Sequence, residues 1–190
     1  MTVRVILVAP AIGSGLRAAR FGDDGPPDDA ALSAARAAAG ALPVATRSFT
    51  APSPRCRRTA EALGLAPGSA AAPADLDVGD WRGRRLDDVA ATDPAAVAAW
   101  LADPAAAPHG GESVTALCAR VGGWLDDLAG QPGRVVAVVE PAVVRAAVVG
   151  ALGLPPAVFW RLDVRPLSVT ELSGRAGRWN LRCGQDLTSP

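Results

Sequence analysis

The stretch VVAVVEPAVVRAAVVGALGLPP, from Val135 to Pro156, decides the fold. Val135 to Val139 is the most hydrophobic run in the chain, and four of its five residues are β-branched. Such a run reads as a central strand buried on both faces. Glu140-Pro141 ends it, and a helix follows from about Ala142 to Leu152, stopped by Pro155-Pro156.

Outward from this unit, the same alternation recurs. Val3 to Val8 (VRVILV) is a second β-branched run, closed by Ala9-Pro10. Gly13, Gly15, Gly22 and Gly25, with Pro26 and Pro27, predict a long loop up to about Asp28. Asp28 and Asp29 can cap an Ala-rich helix over residues 29–41. Residues 46–50 read as a short strand and 55–63 as a helix. Residues 76–83 are irregular around Trp81, and helical stretches follow near 86–91 and 94–101. Ser113 can cap a helix to about Leu128, whose Leu117, Val121, Trp124 and Leu128 repeat at three and four residues. Residues 168–172 and 178–182 alternate like a hairpin joined by Gly174 and Gly177. Strands alternating with helices predict an α/β fold, a three-layer α/β/α sandwich with a mostly parallel central sheet. With 190 residues and no linker or repeat, the chain reads as one domain, 1–190.

Composition narrows the chemistry. The 19 basic and 19 acidic residues cancel, and every basic one is Arg. No global pull toward nucleic acid or an anionic membrane is expected. The absence of Lys rules out a Schiff-base lysine or a P-loop lysine. There is no Tyr, and His109 is the sole His, so no site in one chain can use two imidazoles. Cys56, Cys118 and Cys183 have no metal-type spacing and read as buried or semi-buried free thiols of a reduced cytoplasmic protein. No metal and no cofactor is expected. The first residues carry too short an apolar run for a signal peptide, and the longest apolar stretch, 146–160, is short of a membrane span. The Trp and apolar content is compatible with a homodimer.

In open α/β sheets ligands sit outside the carboxyl ends of the strands. The first strand ends at Ala9-Pro10 and the late one at Glu140-Pro141. Glu140 should therefore stand at a helix N-terminus in that crevice, where the macrodipole favours its ionised form. Arg55, which starts a helix directly after the second strand, is expected at the same edge. Arg57 and Arg58 read as a solvated face.

Taken in order, six segments resemble the phosphoglycerate mutase-like branch of the histidine phosphatase superfamily. They are VRVILVAPA (Val3 to Ala11), RFGDDGPPD (Arg20 to Asp28), APSPRCRRTAEAL (Ala51 to Leu63), DLDVGDWRGR (Asp75 to Arg84), GGES (Gly110 to Ser113) and VVEPAVVRAAVVGALGLP (Val138 to Pro155). The resemblance implies a phosphoglycerate mutase-like fold, with residues 75–112 as a small helical and loop insertion over the site. Members of that family pass a phosphoryl group through a phosphohistidine, bind it with two Arg and a second His, and protonate the leaving group from an acid on the middle loop.

At the matching positions this sequence departs from the pattern. Ala9 stands for the first Arg, Pro10 for the nucleophilic His, Glu140 for the second His and Ala51 for a usual Ser. The resemblance retains Arg55 as a phosphate-binding Arg, Asp75 at the proton-donor position, Glu112 in the GES loop and Arg20 in the substrate loop. Proline carries no nucleophile, and Glu140 brings negative charge where the family places a donor. The expectation is a repurposed pocket binding a small polar metabolite. Glu140 and Asp75 would be its acid/base pair, with Arg55, Arg20, Glu112, Pro10 and His109 contacting the ligand. Arg55 and Glu140 are expected to pair. His109 is expected near the rim, and Cys56, pointing away on its helix, as a core or partly buried thiol. The alternative is a non-catalytic pseudophosphatase acting on a protein partner or as a sensor. A conventional phosphatase or mutase is the weakest reading.

Overall fold

A computed structural model describes residues 2–22, 25–68, 72–175 and 177–183. Five strands form one sheet in the order β2-β3-β1-β4-β5: β1 Val3–Val8, β2 Arg47–Thr50, β3 Gly133–Val138, β4 Val169–Arg175 and β5 Arg178–Arg182. The pairs β1–β3 and β2–β3 are parallel, whereas β1–β4 and β4–β5 are antiparallel. The architecture is the expected α/β sandwich on a mixed sheet. Strands β1 and β3 lie at its centre, and this placement explains their composition. Only Arg4 of β1 reaches solvent, where it faces Glu171 at 4.0 Å. Parallel strands covered on both faces need apolar residues at every position, not at alternate ones.

The helices are α1 Ser14–Arg17, α2 Asp29–Ala37, α3 Pro54–Ala62, α4 Leu86–Thr92, α5 Pro94–Ala102, α6 Val114–Ala129 and α7 Pro141–Ala151. Helix α2 packs on α3 and α6 on α7. Ser53 and Ser113 cap α3 and α6 by accepting from Cys56 N (3.1 Å) and Ala116 N (3.1 Å). Proline occupies the first turn of α3, α5 and α7, where no intrahelical donor is lost.

Five local expectations are corrected. The predicted 29–41 helix ends at Ala37, and a 3-10 turn, Ala39–Ala41, finishes the segment at the poor helix former Gly40. Asp28 does not cap α2 with its side chain, because its carboxylate pairs with Arg17 at 2.8 Å. The long first loop contains α1, and Pro156 opens a 3-10 helix to Arg161 instead of merely ending α7. Strand β4 runs through Gly174, where a Cβ would meet the Trp179 ring at 2.6 Å; the missing side chain makes room for that ring. Among the described residues no helix is long and apolar enough to cross a membrane.

Candidate functional site

Strands β1 and β3 run side by side and end together. Val8 pairs with Val138, and Val139 N donates to Val8 O at 3.0 Å. The next residues, Pro10 and Glu140, are both buried at this edge. Glu140 is extended (φ −65°, ψ 153°), as a residue before proline must be, and it is the N-cap of α7. Its carboxylate makes no capping bond and turns to α3 instead.

There it meets three side chains. Arg55 Nη2 donates to Oε2 in a direct ion pair, the pairing expected from the sequence. Ser53 Oγ donates to Oε1 at 2.7 Å, and Cys56 Sγ lies 3.5 Å from the same oxygen. Glu140 is 2% exposed and Arg55 6%. Burial and the Glu140 charge push the Cys56 thiol well above its usual range, so it is a neutral donor and not a nucleophile. Arg55 retains one buried nitrogen, Nε, without a partner among the described residues. Helix α3 also fixes the floor. Thr59 Oγ1 donates to Arg55 O at 2.8 Å and accepts from Ala11 N at 3.0 Å, holding the Pro10 turn in place.

Asp75 lies within the field of this pair. It is half-buried, and its Oδ1 accepts from Leu76 N at 2.9 Å. Burial first, then the facing charge of Glu140, push its carboxyl up to about 7. The segment that carries it is clamped to the loop before α6. Asp80 N donates to His109 O at 2.8 Å and Glu112 N to Asp77 O at 2.7 Å. The two backbones touch through glycines. A Cβ on Gly79 would stand 2.0 Å from His109 O, and one on Gly111 2.2 Å from Asp77 O.

Two of the other expected ligand contacts, Glu112 and Arg20, have partners within the chain. Glu112 is engaged by Arg120 of α6, which donates to both carboxylate oxygens at 2.9 and 2.8 Å. Arg120 also donates to Ala74 O at 3.1 Å and Asp75 O at 3.3 Å. Glu112 is thus linked through Arg120 to the backbone that carries Asp75. Arg20 is exposed and donates to Gly83 O at 2.8 Å.

His109 is not at a rim. It is 1% exposed, edge-on to Trp81 (5.1 Å) and Trp100 (6.2 Å), with Nδ1 accepting from Gly111 N at 3.1 Å. Burial holds its basicity below the usual imidazole value. Cys56 is fully buried, yet it reaches the site that the helical-wheel argument turned it away from. Cys183 is exposed, not buried or semi-buried. Sequence reasoning missed Ser53, Cys56 and Arg120; the Ser-Pro cap was the one visible signal, for Ser53. Among the described residues no cluster of three His, Cys, Asp or Glu side chains can hold a metal ion.

Comparison with known proteins gives one consistent result. Residues 28–186 match the sequence pattern of the histidine phosphatase superfamily, branch 1. The chain superposes on a mycobacterial glucosyl-3-phosphoglycerate phosphatase solved with VO3, with a TM-score of 0.83 and 27% identity over 94% of this chain and 96% of that one. Phosphoserine phosphatase from Entamoeba histolytica, solved with 3-phosphoglyceric acid, gives a TM-score of 0.83 at 16% identity over 95% of each chain. No curated protein matches by sequence.

Proposed function

The chain belongs to the histidine phosphatase superfamily, and from that premise we propose that its crevice does not pass a phosphoryl group through a histidine but binds and transforms a small polar metabolite by carboxylate and arginine acid–base chemistry. The observation that carries this reading is Glu140, buried and ion-paired to Arg55 between the strand ends. Phosphohistidine transfer needs a nucleophilic imidazole at the end of the first strand, and Pro10 stands there. The chain's one imidazole is packed among tryptophans.

Electrostatics points the same way. Phosphate in this crevice would face the Glu140 carboxylate, and like charges about 4 Å apart at an effective dielectric near 20 repel by about 4 kcal/mol. That offsets the attraction Arg55 would supply. Asp75, with its carboxyl at about 7, can hold a proton or give it up near neutral pH. A ligand presenting a basic or weakly acidic centre between Asp75 and Glu140 fits these groups, in an isomerase, lyase or cyclase type of reaction.

One observation favours the alternative, a non-catalytic module. Each Glu140 oxygen already has a partner within the chain, from Ser53, Cys56 and Arg55, so the centre is satisfied without a ligand. Hydrolysis of p-nitrophenyl phosphate and thermal shift with a metabolite panel separate the readings. We expect no phosphatase turnover, no stabilisation by inorganic phosphate, and a ligand response lost in Glu140→Gln and Arg55→Ala. Turnover of the aryl phosphate retained in both variants would overturn the reading. A panel without any response would favour the non-catalytic module.

A further inference from the structure

Near the Glu140–Arg55 centre lies a concavity of about 590 Å³, between α7 and the segment leading into β4. It adjoins the end of β1, because Leu167 N donates to Ala9 O at 3.2 Å and Ala9 N to Ser168 O at 3.0 Å. The volume is that of a small-molecule site. Val144, Val148, Leu162, Val164 and Leu181 give it an apolar wall.

Its charged groups are mostly cationic. Arg145, Arg165 and Arg182 line it, against Asp163 alone among acids. Arg182 is drawn off by Glu171 at 3.4 Å. Arg145 is different. Its Nε donates to Leu162 O at 2.7 Å, and its guanidinium lies 5.8 Å from the Phe159 ring centre and 6.0 Å from that of Trp160. The side chain is thus held in one place, yet among the described residues it forms no ion pair. Its two terminal nitrogens are the fork that a carboxylate accepts in bidentate fashion. Arg165, exposed on the facing segment, adds a second charge of the same sign.

We propose that this groove is a binding site for a small organic anion, a carboxylate or sulfonate on an apolar body. The acidic head would sit on Arg145 and the apolar body along Val144, Val148 and Leu181. None of Arg55, Asp75 and Glu140 lines the groove, although the charge of Asp75 is felt at Arg145, and the inference does not rest on the acid–base reading.

Three probes of one shape and different charge test it: 4-phenylbutyrate, 4-phenylbutanol and 4-phenylbutylamine, titrated by methyl NMR. Phenylbutyrate should bind roughly tenfold more tightly than the alcohol, with the amine weakest. The methyl shifts should fall on Val144, Val148, Leu167 and Leu181. Arg145→Gln should reduce phenylbutyrate to the level of the alcohol. Because Arg145 also ties down Leu162, Arg165→Glu provides a second variant on an exposed residue, expected to weaken the anion and strengthen the amine. Equal affinities for the three probes, shifts confined to Val8 and Val139 at the crevice, unchanged anion binding in folded Arg145→Gln, or no binding up to about 10 mM would each overturn the proposal.

Discussion

The site contains the same chemical pair twice, in opposite settings. Glu140 with Arg55 sits at the sheet edge, its side chains 2% and 8% exposed. Glu112 with Arg120 joins α6 to a strap formed where residues 75–81 and 109–112 are clamped together, at 17% and 37%. The buried pair has lost most of its hydration, and further hydrogen bonds from Ser53 and Cys56 offset that loss at Glu140. The half-exposed pair keeps water and is worth at most about 1 kcal/mol as an ion pair. The difference teaches what each is for. The buried pair sets the charge at the strand ends, whereas the outer pair is a tether between α6 and the backbone that carries Asp75.

Breaking the buried pair should have the largest effect. Glu140→Ala leaves an uncompensated guanidinium inside the protein and should cost about 3–5 kcal/mol. In a chain of this size that lowers Tm by roughly 10 °C, read by calorimetry. Replacing both partners, Glu140→Leu with Arg55→Met, should recover much of the loss while leaving the crevice inert. A loss under about 1 kcal/mol in Glu140→Ala would mean that the pair is effectively solvated and the contrast false.

Gly111→Ala attacks the outer region through its backbone. The new methyl would overlap Asp77 O, which cannot rotate away as a side chain would, and the strap must shift. A loss of about 3 kcal/mol is expected, together with loss of any acid–base activity. A fully stable Gly111→Ala variant would mean that the strap is not clamped.

Asp75 links the regions, and its titration has a definite sign. Its folded value of about 7 lies above the ordinary 3.8, so its contribution to stability is fully present below 3.8 and is lost as pH rises through about 7. Asp75→Asn removes that penalty. It should raise Tm by roughly 5 °C at pH 8, by less at pH 5 and not at all near 3.8. A gain independent of pH would show that Asp75 is not the group titrating there.

The two regions also differ in how far the sequence foretold them. β1, β3 and their shared edge follow from apolar, β-branched runs broken only by Arg4 or preceded by Gly133-Arg134, and Glu140 and Arg55 follow from where strands end and helices begin. Those signals are local, and the pairing of the two residues is the consequence of one sheet register. The strap is governed by contacts that leave no local trace. Arg120 holds carbonyls 45 and 46 residues away in sequence, and His109 is buried because Trp81 and Trp100 come from separate elements. A lone histidine in a Gly-rich loop looks exposed until the aromatic rings that cover it are placed. Cys56 shows the reverse failure. Helical spacing turned it 100° from Arg55, but Glu140 is broad enough to receive both.

The smallest expected effect sharpens the contrast most. Glu112→Gln keeps the size of the side chain and one acceptor for Arg120, so it should cost no more than about 1 kcal/mol. If the pair is a tether, that cost should vanish in about 1 M salt, because wild type and variant are then equally screened. The buried pair should resist the same salt, so the penalty for Glu140→Gln should persist. Paired melts of the three proteins, wild type, Glu112→Gln and Glu140→Gln, at low and high salt read this directly. Two penalties that fade together would mean that both pairs are surface features and that the crevice has no privileged charge. A salt-resistant penalty for Glu112→Gln would instead make the strap pair a second structural centre, and Arg120 the residue to replace next.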